Sequence, residues 1–356
     1  MDSLLYTILS QFPLKGEPVS CERYGMGHVN ETYLVVTSTQ NRYILQKLSE
    51  RAFHNMDHLM ENVVNVTTHL QKKVDEPRCA MNFLPTRGGG YYVRQDGCWR
   101  ICDFVENTIC LQRIEREQDF YESAIGFGTF QSQLGDFAVE KLHETIPNFH
   151  HTPNRYRLFR EALQRDTMGR AGNVQREIDF VLSKEEEMAT LQRMRESGAL
   201  PVRVTHNDTK LNNVLLDAAT RRAVCVIDLD TVMPGLSAYD FGDSIRFGAA
   251  TASEDERDLD RMTIDLRRYE IFTCGFLTAC RGFTPTELEM LPMGAKTMTM
   301  ECGVRFLTDY LDGDHYFAIH REGHNLDRAR TQFRLVTEME RNWEDMGRIL
   351  RAVAGR

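Results

Sequence analysis

Val204-Thr-His-Asn-Asp-Thr-Lys-Leu-Asn-Asn-Val-Leu-Leu-Asp217 and, soon after it, Ala223-Val-Cys-Val-Ile-Asp-Leu-Asp230 carry the densest chemistry of this chain. Their skeleton is His-x-Asp-x-Lys-x-x-Asn, followed by a β-branched run that ends in Asp. This pattern suits phosphoryl transfer, because positioning and charge neutralisation do most of that catalysis. A carboxylate must meet the acceptor hydroxyl, and oxygen ligands must hold magnesium on the phosphates.

The offsets within these two phrases predict a role for each polar residue. Asp208 is the candidate base, and Lys210 is placed to reach the transferring phosphate. Asn213 and Asp228 are the predicted magnesium ligands, since a short loop and two strands joined by a turn would bring them together. A polar loop between two buried strands would explain one acidic residue, but not this whole set.

These phrases resemble the catalytic loop of the protein-kinase-like superfamily, in the aminoglycoside phosphotransferase and choline kinase branch. Three phrases together are similar to those of the N-acetylhexosamine 1-kinases: His206 to Asn213, Ile227-Asp-Leu-Asp-Thr-Val-Met-Pro-Gly235 and Phe241-Gly-Asp-Ser-Ile-Arg-Phe-Gly248. The resemblance covers nearly the whole chain. It implies an α+β, two-lobed kinase-like fold, with a small β-rich N-terminal lobe and a larger, mostly helical C-terminal lobe.

A glycine turn near the N-terminus is the candidate phosphate loop. Gly25 and Gly27 lie between two predicted strands and would let backbone amides approach the phosphates of ATP, although a plain hairpin turn has the same pattern. Gly-x4-Gly-Lys-Ser/Thr does not occur, which disfavours a P-loop kinase.

The third predicted strand is the usual place for a phosphate-pairing lysine. Lys47 is the candidate, but Gln46 projects from the opposite face, and the sequence leaves open which of the two points towards the nucleotide. In the following helical pattern, Glu61 is a candidate ion-pair partner for the strand-three cation, and a solvated glutamate is an equal alternative.

A hinge is predicted where a strand ends at Phe104-Val-Glu106, and adenine would hydrogen-bond backbone groups there. We therefore place a nucleotide-binding lobe at residues 1–105 and a catalytic and acceptor-binding lobe at residues 106–356. Phe104 and Glu106 are the nucleotide candidates of this segment.

Composition narrows the functional classes. The net charge of −9 and the absence of a long basic run argue against a nucleic-acid partner, and no apolar stretch reaches membrane length. The nine cysteines are an odd number spread along a large chain, which favours reduced thiols. Together with the lack of a signal-peptide pattern, they predict a cytoplasmic protein. The sequence implies no obligate protein partner.

The acceptor pocket is the least constrained part of the prediction. By resemblance, the sugar candidates are Asp208, His28, Asp230, Phe247 and Arg305, with binding of a second magnesium as the alternative role of Asp230. Asp240, Phe241 and Gly242 match the Asp-Phe-Gly metal motif of protein kinases, but they lie too far past Asp208. We therefore expect Asp240 to order the catalytic loop instead. We expect His206 to brace the same loop.

A Pro-containing loop carries His143, His150 and His151, which lack zinc-site spacing. We expect that this loop borders the acceptor.

The resemblance implies an ATP- and magnesium-dependent kinase that phosphorylates N-acetylglucosamine or N-acetylgalactosamine at the anomeric hydroxyl. The alternatives are a kinase for choline, homoserine, methylthioribose or an aminoglycoside on the same fold, and a non-catalytic nucleotide-binding protein. A cationic acceptor would call for an acidic or aromatic pocket.

Overall fold

The structure is a computed structural model and describes residues 2–25 and 29–355. The helices, in chain order, are α1 Ser3–Leu9, α2 Met56–Gln71, α3 Glu117–Gln133, α4 Thr152–Arg165, α5 Gln175–Met188, α6 Thr190–Glu196, α7 Ser237–Gly248, α8 Leu266–Ala279, α9 Pro285–Asp312, α10 His324–Arg341 and α11 Trp343–Ala354. The strands are β1 Pro18–Arg23, β2 Glu31–Thr37, β3 Arg42–Leu48, β4 Val93–Arg94, β5 Cys98–Asp103, β6 Thr108–Cys110, β7 Arg203–Thr205, β8 Val214–Asp217, β9 Ala223–Val226 and β10 Met233–Gly235.

The chain divides into two compact units, each built from several segments. The first unit comprises residues 1–110, 136–147 and 214–234, and the second comprises 111–135, 148–213 and 235–356. The first unit carries the main sheet and the second is mostly helical, so the predicted α+β, two-lobed fold class is confirmed. Among the described residues, no helix combines the length and the apolar character that crossing a bilayer requires.

The main sheet of the first unit has five antiparallel strands in the order β1-β2-β3-β5-β4. Tyr43 and Leu45 of β3, with Trp99 and Ile101 of β5, pack against the apolar side of α1 and form the core on one face. The alternation of side chains along a strand places their neighbours Gln46 and Arg100 on the other face, and these two residues are direct partners in the register. A second, three-stranded sheet in this unit has the order β6-β8-β9.

The second unit is organised around α9, a buried helix of 28 residues. A capping box fixes its start, with Thr284 and Glu287 satisfying each other's backbone N–H groups, and Gly313 in a left-handed conformation ends it. Helix α7 packs closely on α9 at Gly242 and Gly294, where a methyl group on either glycine would meet the backbone of the other helix. This contact holds α7, which carries Asp240 and Asp243, beside the loop after β7.

Candidate functional site

The loop that follows β7 brings three of the predicted residues together in the second unit. Lys210 Nζ lies 2.7 Å from Asp208 Oδ1. Asn213 Nδ2 donates to the backbone carbonyl of Asp208 at 2.8 Å and to its Oδ2 at 3.1 Å. The side chain of Asp208 is 27 % exposed, so the carboxylate is ordered by its neighbours and remains open to a reactant.

Lys210 keeps its positive charge beside this carboxylate. Burial alone would lower its pKa, but the negative charges of Asp208 and Asp243 raise the pKa above its ordinary value. A permanently charged ammonium next to the candidate base can neutralise a phosphoryl group without taking part in proton transfer.

Asp240 orders the backbone just before Asp208, as we expected from the sequence. Its Oδ2 accepts from the N–H of His206 at 2.9 Å, and its Oδ1 accepts from the N–H of Asn207 at 2.7 Å. Gln131 of α3 donates to the same carboxylate at 2.7 Å. Complete burial raises the pKa of Asp240, while the hydrogen bonds that its carboxylate accepts oppose the rise.

Asp243, one turn further along α7, holds the backbone just after Asp208. Its Oδ2 accepts from the N–H of Thr209 at 3.0 Å, and its Oδ1 pairs with Arg246 at 2.8 Å. Burial would raise the pKa of Asp243, but the charges of Arg246 and Lys210 hold it below its ordinary value. Sequence reasoning missed Asp243, although its spacing of three residues from Asp240 places both carboxylates on one side of a helix.

His206 is fully buried and braces the loop from inside, as we expected from the sequence. Its Nδ1 accepts from the backbone N–H of Asp208 at 3.3 Å. The rings of Phe127 and Phe130 pack edge-on against its imidazole, at centroid distances of 5.4 and 5.9 Å.

A cavity of about 440 Å³ opens beside Lys210 in the second unit. Its lining combines apolar and charged side chains and includes Phe247, whose ring is partly exposed. The charged residues of the lining are Arg113, Lys210, Arg246, Glu254 and Arg268.

Arg305 lies in an aromatic surrounding on α9. Its guanidinium carbon is 5.4 Å from the ring centroid of Phe317 and 5.8 Å from that of Tyr316. The carboxylate of Asp309 accepts from the backbone N–H groups of Phe317 and Tyr316 at 2.9 and 2.8 Å, and this holds the segment that carries the two rings. Sugar binding by Arg305 stays a prediction. The sequence did not show that Asp309 orders the loop whose aromatic rings surround Arg305.

In the first unit, Asp230 belongs to a buried polar cluster. Arg100 Nη1 lies 2.5 Å from Asp230 Oδ1, and Asn30 Nδ2 donates to Asp230 Oδ2 at 2.5 Å. Arg100 also donates from Nε and Nη2 to Gln46 Oε1, at 3.0 and 2.9 Å. Sequence reasoning missed Arg100, although an arginine inside an apolar strand indicates a buried partner.

Lys47 and Glu61 are not paired with each other. Lys47 lies on the face of the sheet opposite Gln46, 3.3 Å from Asp96 and over the ring of Trp99. Glu61 lies 2.8 Å from His143. Arg100, not Lys47, contacts α2, since its Nη1 lies 3.8 Å from Met60 Sδ. A phosphate contact of Lys47 therefore stays a prediction that this placement disfavours.

Asp228 follows β9 and has a left-handed backbone, with φ of 60°. The pairing of Val214 with Val226 sets the start of β8 beside the end of β9. Gly25 also has a positive φ, 77°, at the end of the segment after β1. The candidates Gly27 and His28 lie outside the described residues.

Phe104 and Glu106 follow β5 and line an open cavity of about 600 Å³ in the first unit. The guanidinium of Arg42 stacks 4.3 Å from the ring of Phe104 and donates from Nε to Glu106 at 2.9 Å. Thr108 donates to the carbonyl of Val105 at 2.8 Å. These contacts order the segment, and adenine binding there stays a prediction.

Comparison with solved structures shows the same fold in several kinases. An aminoglycoside phosphotransferase from Alicyclobacillus acidocaldarius aligns with a TM-score of 0.63 and 16 % identity, over 98 % of this chain and 96 % of that one. A microcompartment-associated aminopropanol kinase aligns with a TM-score of 0.58 and 16 % identity, over 97 % and 98 %. An amicoumacin kinase in complex with AMP-PNP and Ca²⁺ aligns with a TM-score of 0.61 and 10 % identity, over 94 % and 91 %.

A match to a family model shows the family, whereas these distant structural likenesses show only the fold. The model described as the phosphotransferase enzyme family, APH, matches residues 20–290, which include the glycine turn, the Asp208 loop and α7. The chain therefore belongs to this phosphotransferase enzyme family.

Proposed function

We propose that the protein is an ATP- and magnesium-dependent kinase that phosphorylates N-acetylglucosamine or N-acetylgalactosamine at the anomeric hydroxyl. The family supports phosphoryl transfer, and the phrases shared with the N-acetylhexosamine 1-kinases support this sugar. The observation that carries the acceptor class is the pairing of Glu254, the carboxylate in the lining of the cavity beside Lys210, with Arg246.

Asp208 acts as the base in this proposal. The acceptor oxygen forms a bond to the γ-phosphorus, the bond from that phosphorus to the bridging oxygen breaks, and ADP leaves with its electron pair. The hydroxyl proton passes to Asp208, whose exposed carboxylate is held by Asn213. Lys210 neutralises charge on the transferring group.

Asn213 and Asp228 are the proposed magnesium ligands, and the donor set fits that ion. Asn213 uses its amide nitrogen on Asp208, which leaves the amide oxygen for a cation. Asp228 supplies a carboxylate, and magnesium prefers a few protein oxygens completed by phosphate and water. When bound, the ion would neutralise the β- and γ-phosphates and orient them.

The cavity beside Lys210 favours a neutral acceptor because the carboxylate in its lining is already paired and the other charged residues of the lining are cations. Arg246 pairs with Glu254 at 2.8 Å, so the carboxylate in the lining is neutralised. Lys210 pairs with Asp208, and Arg268 lies 3.5 Å from Asp265. An ammonium group would therefore meet no uncompensated carboxylate here, whereas sugar hydroxyls can hydrogen-bond to paired charges.

The second candidate is an acceptor that carries an amine. It is favoured by the structural likeness to an aminopropanol kinase and an aminoglycoside phosphotransferase, which extends over nearly the whole chain. Fold likeness alone does not determine the acceptor.

The experiment is a panel of acceptors with magnesium-ATP, with the position of the phosphate determined by phosphorus NMR. N-acetylglucosamine and glucosamine form a matched pair that differs chiefly in charge, and choline, kanamycin and 1-amino-2-propanol complete the panel. We expect anomeric phosphate mainly from N-acetylglucosamine and N-acetylgalactosamine. Faster transfer to glucosamine or another amine would overturn the acceptor and keep the mechanism.

A further inference from the structure

His150 connects the catalytic loop to α9 in the interior of the second unit. Its Nδ1 lies 2.9 Å from Glu301 Oε1, and its Nε2 lies 3.2 Å from the backbone carbonyl oxygen of Asn207. Thr152 donates to the other oxygen of Glu301 at 2.8 Å. Glu301 is 151 residues away from His150 in the chain and is 1 % exposed, so the contact is a buried, long-range tertiary contact.

The partners of His150 determine how many protons its ring carries. A neutral imidazole has one N–H donor and one acceptor nitrogen, whereas an imidazolium has two donors. The carbonyl of Asn207 can only accept. Glu301 already accepts from Thr152 at Oε2, and an ionised carboxylate accepts at Oε1 as well. Burial would raise the pKa of Glu301, but the hydrogen bond and charge of His150 and the charges of Arg155 and Arg305 hold it below its ordinary value.

We propose that His150 is a buried imidazolium that Glu301 holds in place, and that this pair positions the backbone of the catalytic loop for Asp208. The charged and titratable groups that face the pair are Arg155 of α4, Asp243 and Tyr239 of α7, and Arg305 of α9. The positioning role rests on the proposed function of Asp208 as the base.

The residue that the pair holds is the one directly before the base. Asn207 has a left-handed backbone with φ of 66°, and its N–H is fixed by Asp240 at 2.7 Å. His150 fixes its carbonyl from the other side, so both backbone polar groups of Asn207 are bound by buried charged side chains. Loss of the carbonyl contact would let Asp208 shift, and a displacement of about 1 Å can cost about 100-fold in rate.

Another buried histidine, His324, offers an internal comparison. His324, at the start of α10, accepts at Nδ1 from the backbone N–H of His320 at 3.2 Å and faces Asp255 with Nε2 at 3.2 Å. One nitrogen accepts and the other donates, so this ring carries a single proton. Burial lowers the pKa of His324, which agrees with a neutral ring.

The proton count is measured by nitrogen NMR of the whole protein with ¹⁵N-labelled histidine at pH 7. Signals are assigned from the spectra of His150→Asn and His324→Asn. We expect two protonated nitrogens for His150 and one for His324. A single protonated nitrogen in His150 would overturn the proposal, and this readout does not depend on the identity of the acceptor.

The positioning role is tested with His150→Asn and His150→Gln. The amide nitrogen of glutamine reaches about the position of Nε2 and can keep the bond to Asn207, whereas that of asparagine reaches only about that of Nδ1. We expect kcat to fall about 10- to 100-fold in His150→Asn, with a smaller change in KM, and to recover substantially in His150→Gln.

His324→Asn is the matched control and should lower Tm without this loss of kcat. Equal losses of kcat in the two His150 variants, following their losses of Tm, would reduce His150 to a structural role. Kinetics use whichever acceptor the panel gives. If every acceptor fails, the proposed function fails, and the proton count still decides whether the buried imidazolium exists.

Discussion

At the scale of single residues, Arg100 is the clearest case of a side chain whose contribution to folding stability depends on its partner. It is 2 % exposed, and Asp230, with which it pairs, is almost as buried. Two buried charges repay their desolvation only when both are present and hydrogen-bonded. Gln46 accepts a hydrogen bond from Arg100 and Asn30 donates one to Asp230, so each member of the ion pair has a further polar partner.

We expect Arg100→Met to destabilise the protein by about 3 to 5 kcal/mol, because Asp230 would be left buried without a counter-charge. The double variant Arg100→Met with Asp230→Asn should recover part of that loss. Arg94→Met is the matched control, since Arg94 forms an exposed pair with Glu50 that solvent screens, and this variant should leave stability close to wild type. Denaturant unfolding measures all three, and equal effects of Arg100→Met and Arg94→Met would refute the argument.

At the scale of elements, β3 shows what a strand pattern can and cannot predict. Alternation alone predicts that Gln46 and Lys47 point to opposite faces, and the structure has them so. The pattern does not say which face meets α2, because this depends on pairing with β5. Gln46 lies opposite Arg100 in that register, and the apolar core with α1 takes the other face.

The packing of α7 on α9 gives a prediction at the same scale. A methyl group at Gly294 would meet the backbone of Ala238, so Gly294→Ala should cost about 1 to 3 kcal/mol of stability. Because α7 also carries Asp240 and Asp243, we expect turnover to fall in the same variant. Gly172 has no atom near its added methyl group and no positive φ, and Gly172→Ala should leave both properties close to wild type. Thermal unfolding and steady-state rates compare the two, and an unaffected Gly294→Ala would show that the helices can separate freely.

At the scale of the whole molecule, the sequence predicted the fold class and the local set Asp208, Lys210 and Asn213, because those offsets lie within one short loop. It did not predict that residues 136–147 and 214–234 return to the first unit, since no local pattern encodes that packing. The pairing of His150 with Glu301 and that of Asp230 with Arg100 were missed for the same reason: each joins residues more than a hundred positions apart.

At the same scale, the stabilisation of the folded protein by magnesium-ATP distinguishes variants of the proposed base from variants of the proposed metal ligands. Magnesium-ATP at about 100 times its Kd stabilises by about 2.7 kcal/mol, which raises Tm by several degrees. We expect Asp208→Asn to keep this rise and lose most turnover, because it removes a proton acceptor that binding does not need. Asn213→Ala and Asp228→Ala should lose the part of the rise that disappears when EDTA replaces magnesium. Thermal shifts and rates on the same samples give both readings. Unchanged turnover in Asp208→Asn would remove it as the base, and an intact magnesium-dependent rise in both alanine variants would place the ion elsewhere.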